Sequence, residues 1–310
     1  SCKKMASSGE KSLAVGHIYG FQIDPTLERL NMKVYVEPIG GLCNRMRVIA
    51  SAYQLIRPQD GKLIVKWTAN EELNCPAKAL FSLPRGIRVV DVTGEDSLAA
   101  KLAYYRLRLG YRHRVSNDQV MKLKQAGNLI PQDKTYYETC ETFHRDSRDV
   151  DCSIFTPAPE LEAQAREKIE KITQGGTHRV IGLHIRRTDH SVSIRQSPTE
   201  LFCRVLEARL KEDFDTRFYL ATDDAAVRQF FADKYNQDGE IVFFNDSETL
   251  GRDTAEGIRA AFVELLTLSM TQRIYGSCGS SYTDMAAAMG RIPLDYVTLD
   301  AMEGILSTFL

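Results

Sequence analysis

Val180-Ile-Gly-Leu-His-Ile-Arg-Arg-Thr-Asp189 runs a short apolar strand straight into a histidine, two adjacent arginines and an aspartate. The apolar residues account for a strand, but packing gives no reason for His184, Arg186, Arg187 and Asp189 at its end. Side chains alternate faces along a strand, so His184 and Arg186 are expected to point one way and Arg187 the other. The surrounding sequence repeats the pattern. Strands are expected over 179–185, 217–221, 240–244 and 273–277, with helices over 198–212, 223–234, 254–271 and 281–289. Strand–helix alternation of this kind specifies a doubly wound parallel sheet. Ligands bind such sheets at the carboxyl ends of strands, where the arginine pair is placed. Paired arginines suit a forked anion such as a diphosphate. A solvated loop of surface ion pairs is the plainer alternative, and it leaves the histidine and the strand-end position unexplained.

The first half follows the same α/β logic. Met32–Val36 alternates apolar and polar residues, a Gly-Gly turn follows, and Val48, Ala52, Leu55 and Ile56 lie at helical spacing within 44–56. Leu63–Trp67 and Ile87–Val92 read as strands, the second apolar enough to be buried on both faces. A basic helical middle precedes a further strand around Tyr136. Pro157 and Pro159, after Asp149-Val-Asp-Cys152, interrupt the pattern and place a boundary near 150–158. Pro159 to Thr173 is an amphipathic helix that Gly175-Gly176 ends. The organisation expected is a leader or extension over 1–31, then two Rossmann-like domains over 32–155 and 156–310.

The 310 residues suffice for two domains, and 43% hydrophobic with 26% charged residues is a globular profile. Forty basic against 41 acidic residues exclude a bulk electrostatic pull toward nucleic acid or membrane. The local basic run Arg106 to Arg114 reads first as a solvated helix face and second as a surface for an acidic or sugar-rich acceptor. No stretch approaches the roughly 20 apolar residues of a membrane span, and no signal-peptide pattern opens the chain. Seven scattered cysteines without metal spacing fit reduced thiols. The expected setting is the bacterial cytoplasm, at most peripheral to the inner membrane.

Three further segments join strands to helices with polar residues. Tyr219-Leu-Ala-Thr-Asp-Asp224 carries two carboxylates; Thr222 or Asp223 is expected to cap the next helix, so capping explains only one of them. Gly276-Ser-Cys-Gly-Ser-Ser-Tyr282 offers amides and hydroxyls at a helix start, either as a phosphate site or as an ordinary turn. Gly40-Gly-Leu-Cys-Asn-Arg45 has the same layout after the first strand, without matching a dinucleotide fingerprint or a P-loop. Asp149-Val-Asp151 has the form of a D-x-D metal motif but does not follow a clear strand.

These segments, in this order over about 32–290, resemble the superfamily of α1,6-, α1,2- and protein O-fucosyltransferases. His-Ile-Arg-Arg-Thr-Asp189 resembles its H-x-R-R-x-D motif, and Tyr-Leu-Ala-Thr-Asp-Asp224 its second motif. Phe262-Val-Glu-Leu-Leu-Thr-Leu-Ser269 through Gly279-Ser-Ser281 is similar to its third, and Gly-Gly-Leu-Cys-Asn-Arg45 to its N-terminal glycine-rich motif. The resemblance implies a GT-B-like, inverting glycosyltransferase that binds GDP-fucose between an N-terminal acceptor-side domain and a C-terminal donor domain, with no metal and no other cofactor. It implies that Arg186 holds the β-phosphate and that Arg187 supports the loop or the phosphate. His184 and Glu264 would contact guanosine, and Ser280 and Ser281 the phosphates. Asp223, Asp224 and Arg252 would belong to the donor site, and Gly40, Gly41, Asn44 and Arg45 to the N-terminal loop. The acceptor would be a glycan, a lipid-linked oligosaccharide, a cell-surface polysaccharide or a protein. One departure matters. Where the α1,6 branch has a lysine and then a glutamate proposed as base, this chain has His190 and Ile194, so Asp189, His190, Glu37, Glu71 and Glu72 all stand as candidate bases. Another nucleotide-sugar donor, or a non-catalytic nucleotide- or glycan-binding protein, are the competing readings.

Overall fold

The alternation of strands and helices builds two separate parallel sheets. The computed structural model describes residues 32–93, 98–144, 149–188, 191–245 and 253–308. The elements run β1 (Lys33–Pro38), α1 (Leu42–Ile56), β2 (Lys62–Ala69), β3 (Phe81–Ser82), β4 (Ile87–Thr93), α2 (Leu98–Arg108), β5 (His113–Val115), α3 (Asn117–Gln125) and β6 (Thr135–Thr139). They continue with β7 (Thr156–Pro157), α4 (Pro159–Thr173), β8 (Val180–Ile185), α5 (Ser191–Gln196), α6 (Thr199–Glu212), β9 (Arg217–Thr222), α7 (Ala225–Tyr235) and β10 (Val242–Phe243). The last are α8 (Ala255–Ser269), β11 (Ile274–Gly276), α9 (Ser281–Gly290), β12 (Leu294–Tyr296) and α10 (Met302–Ser307). The expected leader, residues 1–31, lies outside the described residues. Among the described residues no helix is long and apolar enough to cross a membrane.

The sheet orders are β4-β2-β1-β6-β5 and β10-β9-β8-β11-β12, with parallel pairing throughout. Each sheet begins at its central strand, grows to one side, and then crosses to the other. The reversal leaves a crevice at the carboxyl ends of β1 and β6, and another at those of β8 and β11, where a ligand meets strand ends rather than a helix flank. Every residue of β8 is buried. Ile181, Leu183 and Ile185 pack with α6, α7 and α10, while Val180 packs with α4, α8 and α9 on the opposite face. Period-two alternation therefore puts His184 on the α8–α9 face. The two sheets are tied by the antiparallel β3–β7 pair, by Phe81 against Phe262 at 6.0 Å, and by Arg259, whose Nη1 donates to the Ala79 carbonyl at 3.0 Å.

Two expectations change. Ile87–Val92 is the edge strand β4, with Arg88 exposed, and is not buried on both faces. An edge strand has a neighbour on one side only, so apolar content alone does not reveal its place in the sheet. The basic run is not wholly a solvated helix face either. It closes α2, buries Leu107 and Tyr111 against Tyr35, Ile64 and Tyr136, and ends in β5.

Candidate active site

The carboxyl ends of β1, β8, β9 and β11 meet around a cleft of about 370 Å³, lined by Gly41 to Asn44 and Arg47 from the first half and by His184, Arg186, Thr222, Asp223, Glu264 and Gly279 to Tyr282 from the second. Arg186 is fixed at both ends. Its backbone N–H donates to Ser277 Oγ at 3.0 Å, and its Nη1 lies 2.8 Å from Asp223 Oδ2. Asp223 also accepts from the Arg187 amide at 2.8 Å and from the Thr188 hydroxyl at 2.7 Å, so one carboxylate shapes the whole arginine loop. Burial works to raise the Asp223 carboxyl, but the Thr188 hydroxyl, the Arg186 charge and the Arg187 amide together hold it below its ordinary value.

Arg187 turns to the other side, as strand alternation requires. Its guanidinium donates to the Ser197 carbonyl at 3.0 Å, to Thr199 Oγ1 at 2.7 Å and to the Arg186 carbonyl at 2.8 Å. It therefore braces the loop against the start of α6 and does not line the cleft. The carboxylate doublet divides as well. The cap of α7 is Asp224, accepting from the Ala226 and Val227 amides at 2.7 and 3.3 Å, and not Thr222 or Asp223. The reason is position: the strand runs through Thr222, so Asp223 still faces the cleft when the chain turns into the helix.

His184 is buried and stacked on Tyr282, with ring centroids 4.8 Å apart, and its Nδ1 lies 2.5 Å from Thr283 Oγ1. Burial, helped by Arg186 and Arg187 and opposed by Asp223, pushes the imidazole down to about 3. It is a neutral hydrogen-bonding group near pH 7. Glu264 projects from α8 and is also buried. Its Oε2 is 3.2 Å from the Tyr282 hydroxyl, which lies closer, at 2.8 Å, to the Ala261 carbonyl, and one hydroxyl proton serves only one acceptor well. Glu264 Oε1 has no hydrogen-bond partner. Burial raises this carboxyl to about 7, against the Tyr282 hydrogen bond and the Arg228 charge. A buried carboxylate short of donors is costly by itself and suits a ligand that brings N–H groups.

Two helix N-termini open on the same cleft. Gly41 precedes α1 and Ser280 precedes α9, and neither makes a side-chain cap hydrogen bond. First-turn amides left without caps form anion sites. Gly279 at φ +75° turns the chain into α9, and Gly276 lies so close to Thr283 that a Cβ there would sit 2.2 Å from its Cγ2. Ser280 and Ser281 both line the cleft.

The N-terminal loop residues separate by role. Gly41 and Asn44 line the cleft, whereas Gly40, at φ +82°, donates its N–H to Glu72 Oε2 at 2.9 Å. Arg45 points inward, away from any ligand. It donates to the Gly40 carbonyl at 2.7 Å, the Thr68 carbonyl at 2.5 Å and Asn70 Oδ1 at 2.8 Å, with its guanidinium over Trp67. Burial lowers it to about 10, against the pull of Glu72 and Glu37. Arg45 thus staples the glycine turn, and the arginine of α1 that lines the cleft is Arg47, two residues on. Sequence reasoning missed Arg47; its spacing of three from Asn44 places both on one helix face and was the available signal. It also missed Asn245, buried after the two-residue β10, with its Nδ2 3.1 Å from the Ala260 carbonyl. An isolated asparagine after so short a strand carries no pattern.

Asp189, His190 and Arg252 lie outside the described residues. Of the other candidate bases, Glu37 is engaged by Lys66, Thr68 and Tyr136, and Glu72 by Gly40. Neither they nor the exposed Glu71 line the cleft. Asp151 of the D-x-D triplet pairs with Arg57 and caps Ser153, a structural use of its carboxylate.

Two Rossmann-like sheets facing a shared cleft define the GT-B architecture of glycosyltransferases, and the chain has the GT-B fold of the fucosyltransferases. It is similar to the α-1,6-fucosyltransferase NodZ soaked with GDP-fucose, a Bradyrhizobium protein, at TM-score 0.59 and 16% identity, covering 86% of this chain and 96% of that one. An arginine-to-lysine mutant of Arabidopsis thaliana FUT1 in complex with GDP matches at TM-score 0.55 and 13% identity, covering 85% and 69%. POFUT1 in complex with GDP matches at TM-score 0.53 and 8% identity, covering 86% and 99%. No protein-family model matches the sequence, and no curated protein matches it.

Proposed function

We propose that the protein is an inverting glycosyltransferase that moves fucose from GDP-fucose to a glycan, with residues 156–310 holding the donor and 32–155 facing the acceptor. The carrying observation is one cleft that pairs a buried carboxylate with an unpartnered oxygen, Glu264, with a fixed arginine, Arg186, and two uncapped helix starts. Guanine presents adjacent N–H donors that answer Glu264 Oε1. A diphosphate answers Arg186 and the amides at Ser280 and Ser281. The GDP and GDP-fucose complexes of proteins with this fold point the same way.

In the reaction, an acceptor hydroxyl attacks the anomeric carbon from the face opposite the nucleotide. The bond to the β-phosphate oxygen breaks, and GDP leaves with the electron pair. Positive charge develops on the sugar ring while negative charge grows on the diphosphate. Arg186, held by Asp223 and Ser277, neutralises that growing charge without having to reorganise, and the α9 amides spread it. This arrangement supplies the charge stabilisation that other glycosyltransferases obtain from a metal. Among the described residues, the carboxylates lining the cleft are Asp223, which holds the arginine loop, and Glu264, whose unpartnered oxygen the guanine edge would take. We assign the acceptor's proton to Asp189 or His190, which directly follow the arginine loop. The described cysteines are all free thiols, which fits a reducing, cytoplasmic setting.

Ile194, 43% exposed on α5, favours a second reading, a nucleotide-binding protein without turnover, because it stands where the α1,6 branch carries a glutamate. Donor turnover separates the readings. Incubation with GDP-fucose, GDP-mannose and UDP-glucose, each with a mixed glycan acceptor pool, is expected to release GDP from GDP-fucose about tenfold or more faster than nucleotide from the others. Faster turnover of a UDP-sugar would overturn the donor assignment, and GDP binding without any turnover would establish the second reading.

A further inference from the structure

Helix α2 carries an apolar stripe that no part of the described structure covers. Leu98, Leu102, Tyr105 and, one residue past the helix, Leu109 are 84, 52, 65 and 89% exposed. At 100° per residue they fall within an arc about 60° wide, a continuous ridge and not scattered surface residues. Leu107 lies diametrically opposite and is buried in the cluster formed by Tyr35, Ile64, Tyr111 and Tyr136 on the first sheet. The helix is therefore apolar on two faces, and its docking to the sheet uses only one.

Among the described residues, the charges beside the ridge are of one sign. Lys101 and Arg108 flank it on one side and Arg106 on the other, and Arg112 follows; all four are exposed. No acidic residue occurs between Leu98 and Asp118, in a chain whose net charge is −1. Arg114 is set apart by its ion pair with Glu138. Leucine and tyrosine on the outward ridge, with arginine and lysine along both flanks, is the pattern of a helix lying in a bilayer interface. A second copy of the chain is the competing occupant: an isologous contact would set these arginines against one another, and the acidic residues nearest along the chain are Glu95 and Asp96, just before the helix. Residues 1–31 carry four basic and three acidic residues and offer no compensating negative charge.

We propose that α2 is a membrane-docking face, which seats the protein on an anionic lipid surface with the leucine ridge at the boundary between headgroups and acyl chains and the basic flanks at the headgroups. The donor assignment is not needed for this, since lipid binding is read without nucleotide. The test is co-sedimentation of the full chain with vesicles of phosphatidylglycerol and phosphatidylcholine, against phosphatidylcholine alone. Each basic residue near an anionic surface strengthens binding roughly fivefold. The double substitution Arg106→Gln/Arg108→Gln is thus expected to weaken binding to the anionic vesicles about tenfold or more, and Leu102→Ser/Leu109→Ser to weaken it comparably. Lys171→Gln/Lys211→Gln, on exposed lysines of α4 and α6, should leave it unchanged. Raising salt should release the protein from the anionic vesicles. Failure of the unsubstituted chain to bind them at low salt would overturn the proposal, as would binding that ignores both α2 pairs. A dimer in sedimentation velocity that Leu102→Ser/Leu109→Ser dissociates would overturn it in favour of an interface between copies.

Discussion

Replacing Arg186 with alanine is expected to lower turnover of GDP-fucose about a thousandfold, the range seen when a preorganised group facing developing charge is removed. The guanidinium is already in place before the donor arrives, held 2.8 Å from Asp223 while its backbone is tied to Ser277. Its attraction for the diphosphate rises as the leaving group gains charge, so the loss should fall mainly on kcat, with a smaller change in KM. Arg186→Lys should recover only part of the activity, because an ammonium supplies the charge without the two-pronged geometry. Steady-state kinetics on both variants, with folding verified by thermal melting, decides the matter. Turnover by Arg186→Ala within tenfold of the unsubstituted protein would remove Arg186 from the mechanism.

The second large effect belongs to Glu264. A hydrogen bond to a charged group contributes about 1.5–3 kcal/mol, and a guanine edge makes two of them to one carboxylate. Glu264→Gln is therefore expected to weaken GDP binding about a hundredfold and to leave UDP binding nearly as it was. The pH dependence follows from the same group. Burial raises its carboxyl from 4.5 to about 7, so without nucleotide the folded protein keeps a proton here that the unfolded chain has released by then. Its contribution to folding stability is thus full below pH 4.5 and lost as pH rises toward 7. Guanine N–H donors select the ionised form, so GDP binding expels the proton, and affinity should climb with pH up to about 7 and then level off. The glutamine variant has no proton to lose and should lack that slope. An identical pH profile for both proteins would contradict the assignment.

Much of the scaffold was legible because a fully buried strand and a one-sided helix each leave a plain pattern. The strand around Val180–Ile185 and the helix Pro159–Thr173 lie where apolar run, proline and glycine placed them. The polar strands β5 and β12 were not legible. His113-Arg-Val115 and Leu294-Asp-Tyr296 join their sheets at the edges through backbone pairing, with side chains that follow no apolar period. At the site, residue types at strand ends indicated where a cleft would form, and His184, Arg186, Asp223, Glu264, Ser280 and Ser281 line one together. Which member of a pair faces the ligand was harder to read. Asp223 and Asp224 exchange the roles of cap and loop anchor because the strand extends through Thr222. Arg45 and Arg47 differ because 100° per residue turns one into the core against Trp67 and the other to the cleft. Such choices depend on where an element ends, to within one residue, and local sequence does not fix that.

Recognition of a guanosine diphosphate by the cleft between the two sheets underlies every step proposed above. Calorimetric titration of the full chain with GDP and, separately, UDP tests it most directly. One site per chain is expected, with GDP binding at least about a hundredfold tighter than UDP, since uracil brings no pair of N–H donors to Glu264. Equal affinity for the two nucleotides, or no heat with GDP, would contradict it.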